Sequence, residues 1–521
     1  MMKKLFSIVV IASALTMSSC DKWLDVNDNP NNPNTKVPTV DLRLPSIIAR
    51  FAEGYESGGT RAALISQQIA GTTANNWNLA RWNITTAAVN WPYQPWYIYT
   101  ANNIPDLIEK GEETGAYHYI GAGKIIWAWG FTAFSDLYGM LPYEEAFVGG
   151  NMTPKYDQGD LVYEKCLVIL DEAIAELQKT QNPSAPLLAK GDYLYDGDPQ
   201  KWIKLAYGIK ARLLNHLSKT DRYDAQAILD LLDKAPKTAL ESALYQYQDR
   251  AESNSLVTES LQFQNNTSNR LTTVYINYIL NNYTGAPTGG ANMEDPRADL
   301  LIPRFLPSNV RTPGVDMNEI PDAGFGSTIS LYAGLRPVAG VSTGSTYVDA
   351  GAKGLLLTSA EMHFIKAEVL FNQNNKTAAL AAYKDGIKDH MEILEVPSAS
   401  ITQFLASTSV VQDANALTLS QIMIQKYIAL SYSPEVFNDV RRLEYCSDAT
   451  GKYNEATGIY KGLKRPKAVF TLALPTDDVW PRRFAVASYG INYNLQSIIA
   501  SDADAISATY TTKRIWWDVK K

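Results

Sequence analysis

TSAEMHFIKAEVLFNQNNKTAALAAYKDGIKDHMEIL, residues 358–394, carries the pattern that decides the fold. Thr358 followed three positions later by Glu361 is the capping-box signature of a helix start, and the apolar spacing continues it to Leu370. A short polar loop, Asn372 to Asn375, separates this helix from a second one over Lys376 to Leu394. Two helices joined by so short a loop pack antiparallel. The pattern recurs along the chain. Tyr163 to Leu177 places Cys166, Leu167, Leu170, Ala173, Ile174 and Leu177 on one helical face, and Trp202 to Leu217 does the same with Leu205, Ile209, Leu213 and Leu217. Ser433-Pro434 is a cap followed by proline at the first helical position, opening a helix over Glu435 to Tyr445. No strict 34-residue repeat is visible, but helices in pairs suggest tetratricopeptide-like stacking. The expected fold is mostly α, with tetratricopeptide-like helix-turn-helix units packed against a loop-rich region that has few short strands.

The composition of the 521 residues is that of a globular protein, 46% hydrophobic and 19% charged, with a net charge of -7. No basic stripe appears, so nucleic-acid binding has no electrostatic footprint. Lys3 and Lys4 precede an apolar run from Leu5 to Met17, too short for the ~20 residues that span a bilayer. Ser18 and Ser19 then lead into Cys20. This order fits a lipoprotein signal peptide over residues 1–19, with lipidation at Cys20 and a membrane anchor as the result. A plain secretory signal with an incidental cysteine is the alternative. An N-terminal tether or arm is expected over 20–45, since Asp25 to Pro38 is rich in Asn, Asp and Pro, and the helical body over 46–521. Asp25, Asn27 and Asn29 have calcium-loop spacing, but Pro30 and Lys36 occupy the positions that need Gly and Glu, so that reading fails. Cys166 and Cys446 read as buried free thiols, and no metal or cofactor motif is present.

Two stretches depart from the helical pattern. A loop-rich insertion runs from about 263 to 354, and a second irregular stretch spans Gly71 to Trp96. A sugar ring offers an apolar C–H face and a hydroxyl rim, which flat aromatics and amides cover between them. Trp77, Asn78, Arg81 and Trp82 supply both in six positions; Asn281, Asn282, Tyr283, Phe325 and Tyr332 are candidates for an opposite wall. The competing reading makes these aromatics core, as expected for Trp91 and Trp96, for at least one of Trp127 and Trp129, and for Trp516 and Trp517. Arg441 and Arg442 are expected to join helices through carboxylates. Catalysis finds little support. His118, His216, His363 and His390 each stand alone, and the adjacent pairs Glu144-Glu145 and Asp171-Glu172 diverge on a helix. Two distant carboxylates could still meet in a glycan-cleaving site.

Several segments, in order, resemble one family. They are LDVNDNPNNP (24–33), WPYQPWYIYTANNI (91–104), FSDLYGMLPYEEAF (134–147), YEKCLVILDEAIAEL (163–177), KWIKLAYGIKARLLNHLSK (201–219), EMHFIKAEVLFNQ (361–373), EVFNDVRRLEY (435–445) and PRRFAVASYGINYN (481–494). Within the third, Gly139 suits a helix C-cap and Pro142 forbids continuation. The set resembles the SusD/RagB family, in its SusD-like subgroup. The resemblance implies a lipid-anchored protein at the outer membrane, facing the cell exterior, that is not an enzyme. It implies a SusC-like TonB-dependent outer-membrane transporter as partner and an oligosaccharide ligand, with a peptide as the alternative cargo. A glycan-cleaving surface lipoprotein and a purely structural helical scaffold are the rival readings.

Overall fold

The computed structural model describes residues 38–71, 74–248, 269–305, 308–319, 346–348 and 351–520. Cys20, Phe325 and Tyr332 lie outside the described residues. The first described helix, α1 (Val40–Ile65), is the spine of the core. Val40, Leu44, Ile47, Ile48, Phe51 and Tyr55 are all buried along it. This helix takes over the end of the segment expected to be an arm, because the same apolar period already starts at Val40. Gly59 lets it approach the segment before residue 435: a Cβ there would sit 1.8 Å from the Tyr432 carbonyl oxygen.

After the short helix α2 (Ala74–Ala80) come α3 (Ile104–Thr114), α4 (Tyr117–Tyr138), α5 (Gly159–Leu177), α6 (Pro199–His216) and α7 (Ala225–Leu232), each packed on the next. Beyond α8 (Thr273–Ile279), the pair α9 (Ser359–Asn372) and α10 (Lys376–Ile393) forms as the sequence pattern requires, with α11 (Leu419–Ala429) against both and α12 (Glu435–Arg442) against α1. The fold is mostly helical with tetratricopeptide-like units, in agreement with the expectation.

Local chemistry accounts for the boundaries. Asp198 caps α6 by accepting from the Gln200 N–H at 2.8 Å, and Pro199 takes the first helical position. Thr358 caps α9 through the Glu361 N–H, but the reciprocal half of the expected box is missing, because the Glu361 carboxylate binds Arg212 instead. Gly139 ends α4 with φ +86°. Helix α12 stops earlier than expected because Glu444 and Tyr445 turn to positive φ.

Strands are short. The described residues hold four two-stranded antiparallel sheets: β1 (Ile69–Gly71) with β5 (Asn269–Leu271), β2 (Met140–Leu141) with β3 (Asp157–Gln158), β4 (Ala243–Gln246) with β8 (Lys353–Leu357), and β6 (Arg304–Phe305) with β7 (Val310–Arg311).

A ladder of buried ion pairs crosses the helical side. Arg212 on α6 donates two hydrogen bonds to Glu361 on α9, at 2.7 and 2.6 Å. Arg442 on α12 grips Glu368 on α9 and, at 2.8 Å, Asp439, which Lys426 also meets at 2.8 Å. The expectation that Arg441 does the same is corrected: its guanidinium donates to the Asp136 and Arg482 carbonyls and to the Asn438 side chain. His216 is not alone either. It sits 2.8 Å from Glu435 and 3.2 Å from Asp136. Burial opposes its charge, but the two carboxylates override that and raise it to about 9.

The last residues clasp this ladder. The Trp517 indole donates to Asp136 at 2.7 Å, and Arg482 pairs with Asp518 at 3.2 Å. Arg483 donates to the Lys513 carbonyl at 2.7 Å and to the Tyr510 hydroxyl at 2.9 Å. Cys166 and Cys446 are free and buried, and burial pushes the Cys166 thiol up to about 12.

Candidate ligand-binding cleft

The two irregular stretches singled out by composition meet through one small sheet. β1 leads into α2, β5 leads into α8, and Ile69 pairs with Leu271 and Gly71 with Asn269. The Asn76 side chain adds a 3.1 Å hydrogen bond to the Asn269 side chain. A third segment ties them together: the Gln67 side chain donates to the Lys464 carbonyl, Lys467 N–H to Met317, and Phe470 N–H to Arg81.

On this flank lies a cleft of about 780 Å³. Helix α8 provides one wall. Thr272 caps it by accepting from the Tyr275 N–H, and the wall continues from Asn277 through Asn281, Asn282 and Tyr283. Asn281 takes φ +53° just past the helix end, a conformation asparagine tolerates better than most residues. Its side-chain N–H₂ donates to the Ser409 carbonyl at 2.8 Å, while its buried side-chain oxygen has no hydrogen-bond partner among the described residues. Asn282 donates to the Asn277 side chain at 3.1 Å. The Tyr283 ring meets Tyr278 edge-on with centroids 5.6 Å apart. Burial raises its phenol well above the ordinary value, so it stays a neutral hydrogen-bond donor.

Asp316 and Asn318 form another wall, with the Asp316 carboxylate accepting from the Asn318 backbone at 2.8 Å and its side chain at 3.0 Å. Glu455, Lys461 and Lys464 complete the rim. Lys461 donates to the Glu455 carbonyl at 2.7 Å, and the Lys464 ammonium lies 5.4 Å from the Tyr453 ring centre. Two carboxylates and two ammonium groups balance, leaving amide groups and one phenol as the dominant chemistry. Such a surface suits a neutral ligand rich in hydroxyls. No histidine lines it.

Of the residues expected from sequence, Asn282 and Tyr283 line this cleft together with Asn281. Trp77, Asn78 and Arg81 are half-buried on α2 and the turn after it, beside the 464–470 segment but not in the cleft lining. Asn78 holds Arg81 by accepting from its guanidinium at 3.2 Å, and Arg81 lies over the Phe470 ring. Trp82 is a correction. It has φ +65°, is fully buried, and donates its indole N–H to the Ile65 carbonyl at 2.8 Å, so it presents no face to a ligand. Trp91 is a correction in the other sense: expected in the core, it is 48% exposed, whereas Trp96 is fully buried. Sequence reasoning missed Asn277, Asp316, Asn318, Glu455, Lys461 and Lys464. A signal for the last group existed, since ATGKYNEATGIYKG (449–462) has the same Gly, Asn and Thr bias as the flagged stretches.

No protein of curated function matches the sequence. Solved structures share the fold. A SusD/RagB family protein from Bacteroides thetaiotaomicron aligns with TM-score 0.69 at 19% identity, covering 93% of this chain and 100% of that one. A SusD homologue from Bacteroides uniformis gives 0.68 at 17%, covering 92% and 99%. A chitin-binding SusD homologue from Flavobacterium johnsoniae gives 0.65 at 16%, covering 92% and 98%. A SusD-like family model, described as starch-binding associating with outer membrane, matches residues 30–436. By that match over most of its length, the chain belongs to the SusD-like family of nutrient-binding proteins.

Proposed function

We propose that the protein is a cell-surface lipoprotein that binds a neutral oligosaccharide in the Asn277–Tyr283 cleft and delivers it to a TonB-dependent outer-membrane transporter. The observation that carries this reading is the cleft itself: about 780 Å³, amide-rich, balanced in charge, and lined from Thr273 onward, just past the strand that pairs with Ile69–Gly71. Family membership supports anchoring at the outer membrane and the transporter partner. Among the described residues no helix is long and apolar enough to cross a membrane; in this reading the attachment is a lipid on Cys20, after the apolar run Leu5 to Met17. Binding without turnover is the expected activity.

Starch- and chitin-derived oligosaccharides are the first ligands to try, given the family's description and the Flavobacterium relative. Calorimetric titration of the full-length protein is expected to show saturable binding of one of these series, with no shortened products after long incubation. Binding of peptides but of no saccharide would transfer the reading to the peptide alternative, and accumulation of cleavage products would replace it with a hydrolase. Trp77 and Arg81 form a second test: if they extend the same site, Trp77→Ala weakens binding of longer oligosaccharides more than of short ones.

A further inference from the structure

A second groove, of about 560 Å³, lies between α3, α4 and α5 and shares no residue with the amide cleft. Its chemistry is different. Ile108, Trp127 and Ile169 form an apolar floor, and Glu109, Glu112, Glu144 and Glu172 stand around it with a single lysine, Lys124. The Trp127 ring is held in place by Phe131 at 4.7 Å and Phe147 at 5.7 Å, so the floor is a fixed surface. Val168, 56% exposed, sits next to Ile169 on α5.

The four carboxylates are not equally satisfied. Lys124 pairs with Glu172 at 2.7 Å, and Lys155 pairs with Glu144 at 2.9 Å and holds its carboxyl below the usual range. Glu109 and Glu112 have no ion-pair partner among the described residues. They are three positions apart on α3 and therefore share a face. Covering this groove with an uncharged molecule would remove water from two unneutralised carboxylates, which is costly in a low-dielectric contact. An occupant that brings its own cations avoids that cost, and the apolar floor gives it an anchor.

We propose that this groove is a docking site for a basic segment of a partner protein, in which an apolar side chain seats on Ile108, Trp127 and Ile169 while flanking Lys or Arg residues meet Glu109 and Glu112. The proposal is independent of what the amide cleft binds. The probe is a fluorescein-labelled synthetic helical peptide of Leu and Lys, with counterparts carrying Glu for Lys or Ser for Leu, titrated by fluorescence anisotropy against full-length protein at physiological salt. The Leu/Lys peptide is expected to saturate, with hydrogen exchange slowed over residues 105–112 and 165–172. Glu109→Gln with Glu112→Gln is expected to weaken it by about tenfold. Asp477→Asn with Asp478→Asn, which neutralises two exposed carboxylates elsewhere, is expected to leave it unchanged. The idea is overturned if the Leu/Lys peptide does not bind, if the Ser-for-Leu peptide binds as well, if both double variants weaken binding equally, or if exchange protection falls outside the groove.

Discussion

Arg212, Arg442 and Lys426 each meet a carboxylate out of contact with water on the helical side of the molecule, whereas Asn277, Asn281, Asn282 and Lys464 line an open cleft on the loop-rich flank. Both regions are rich in polar groups, yet they use them in opposite ways. On the helical side Arg212, Arg442 and His216 meet Glu361, Glu368 and Glu435 over large sequence separations, so these pairs fix which helices meet. On the flank the charges are few and balanced around an open, amide-lined cleft. Polar groups that are paired internally define a frame, and those left open are available to a ligand.

The strongest way to break this contrast is to cut the ladder. Glu368→Ala leaves the buried Arg442 with Asp439 as its one carboxylate among the described residues, beside the Ser218 hydroxyl, and removes the acceptor of the Asn215 side chain. We expect a loss on the order of 3–5 kcal/mol, read as a large fall in Tm by calorimetry. A loss below about 1 kcal/mol would mean that the ladder does not hold the frame.

Next in size is the pH dependence at His216. Its folded value, about 9, lies above its ordinary one, so its contribution is fully present below about pH 6.5 and is lost as pH rises through 9. Wild-type Tm is expected to fall between pH 7 and 10 by the equivalent of up to about 3 kcal/mol, and His216→Gln is expected to flatten that slope. Parallel slopes would remove His216 from the ladder.

Glu56 sharpens the comparison, because it is buried with no cation beside it among the described residues. Burial raises it to about 7, partly offset by the hydrogen bond from the Tyr247 hydroxyl. Its stability contribution is complete below about pH 4.5 and declines as pH rises through 7. Glu56→Gln, which mimics the protonated form, should therefore raise stability by roughly 1–3 kcal/mol at pH 8 and have no effect at pH 4. Equal effects at both pH values would refute this.

The smallest expected effect belongs to the flank. Asn282→Ala should weaken saccharide binding by about threefold, the value of one modest hydrogen bond, and leave Tm unchanged. A fall in Tm with no change in affinity would make Asn282 part of the frame.

The helical frame was legible because it is local. The period and caps of 358–394 lie within one stretch, and the pair α9–α10 follows from them. Asn282 and Tyr283 were legible because irregular, amide-rich sequence marks an open flank. Trp82 was not, because Trp77 and Trp82 stand in the same short Asn-containing stretch, and the positive φ that accompanies the burial of the second ring leaves no mark in the sequence. The ladder was least visible: Asp136, His216 and Glu435 are isolated in sequence and converge only when α4, α6 and α12 pack. Helix periodicity reports which face is apolar and says nothing about which distant carboxylate a buried histidine will meet.

The tail clasp imposes an order on assembly. Trp517 emerges 381 positions after Asp136, the group it finally covers. Until then the centre of the helical side keeps a carboxylate with one donor missing, so the chain stays incompletely closed through most of its synthesis.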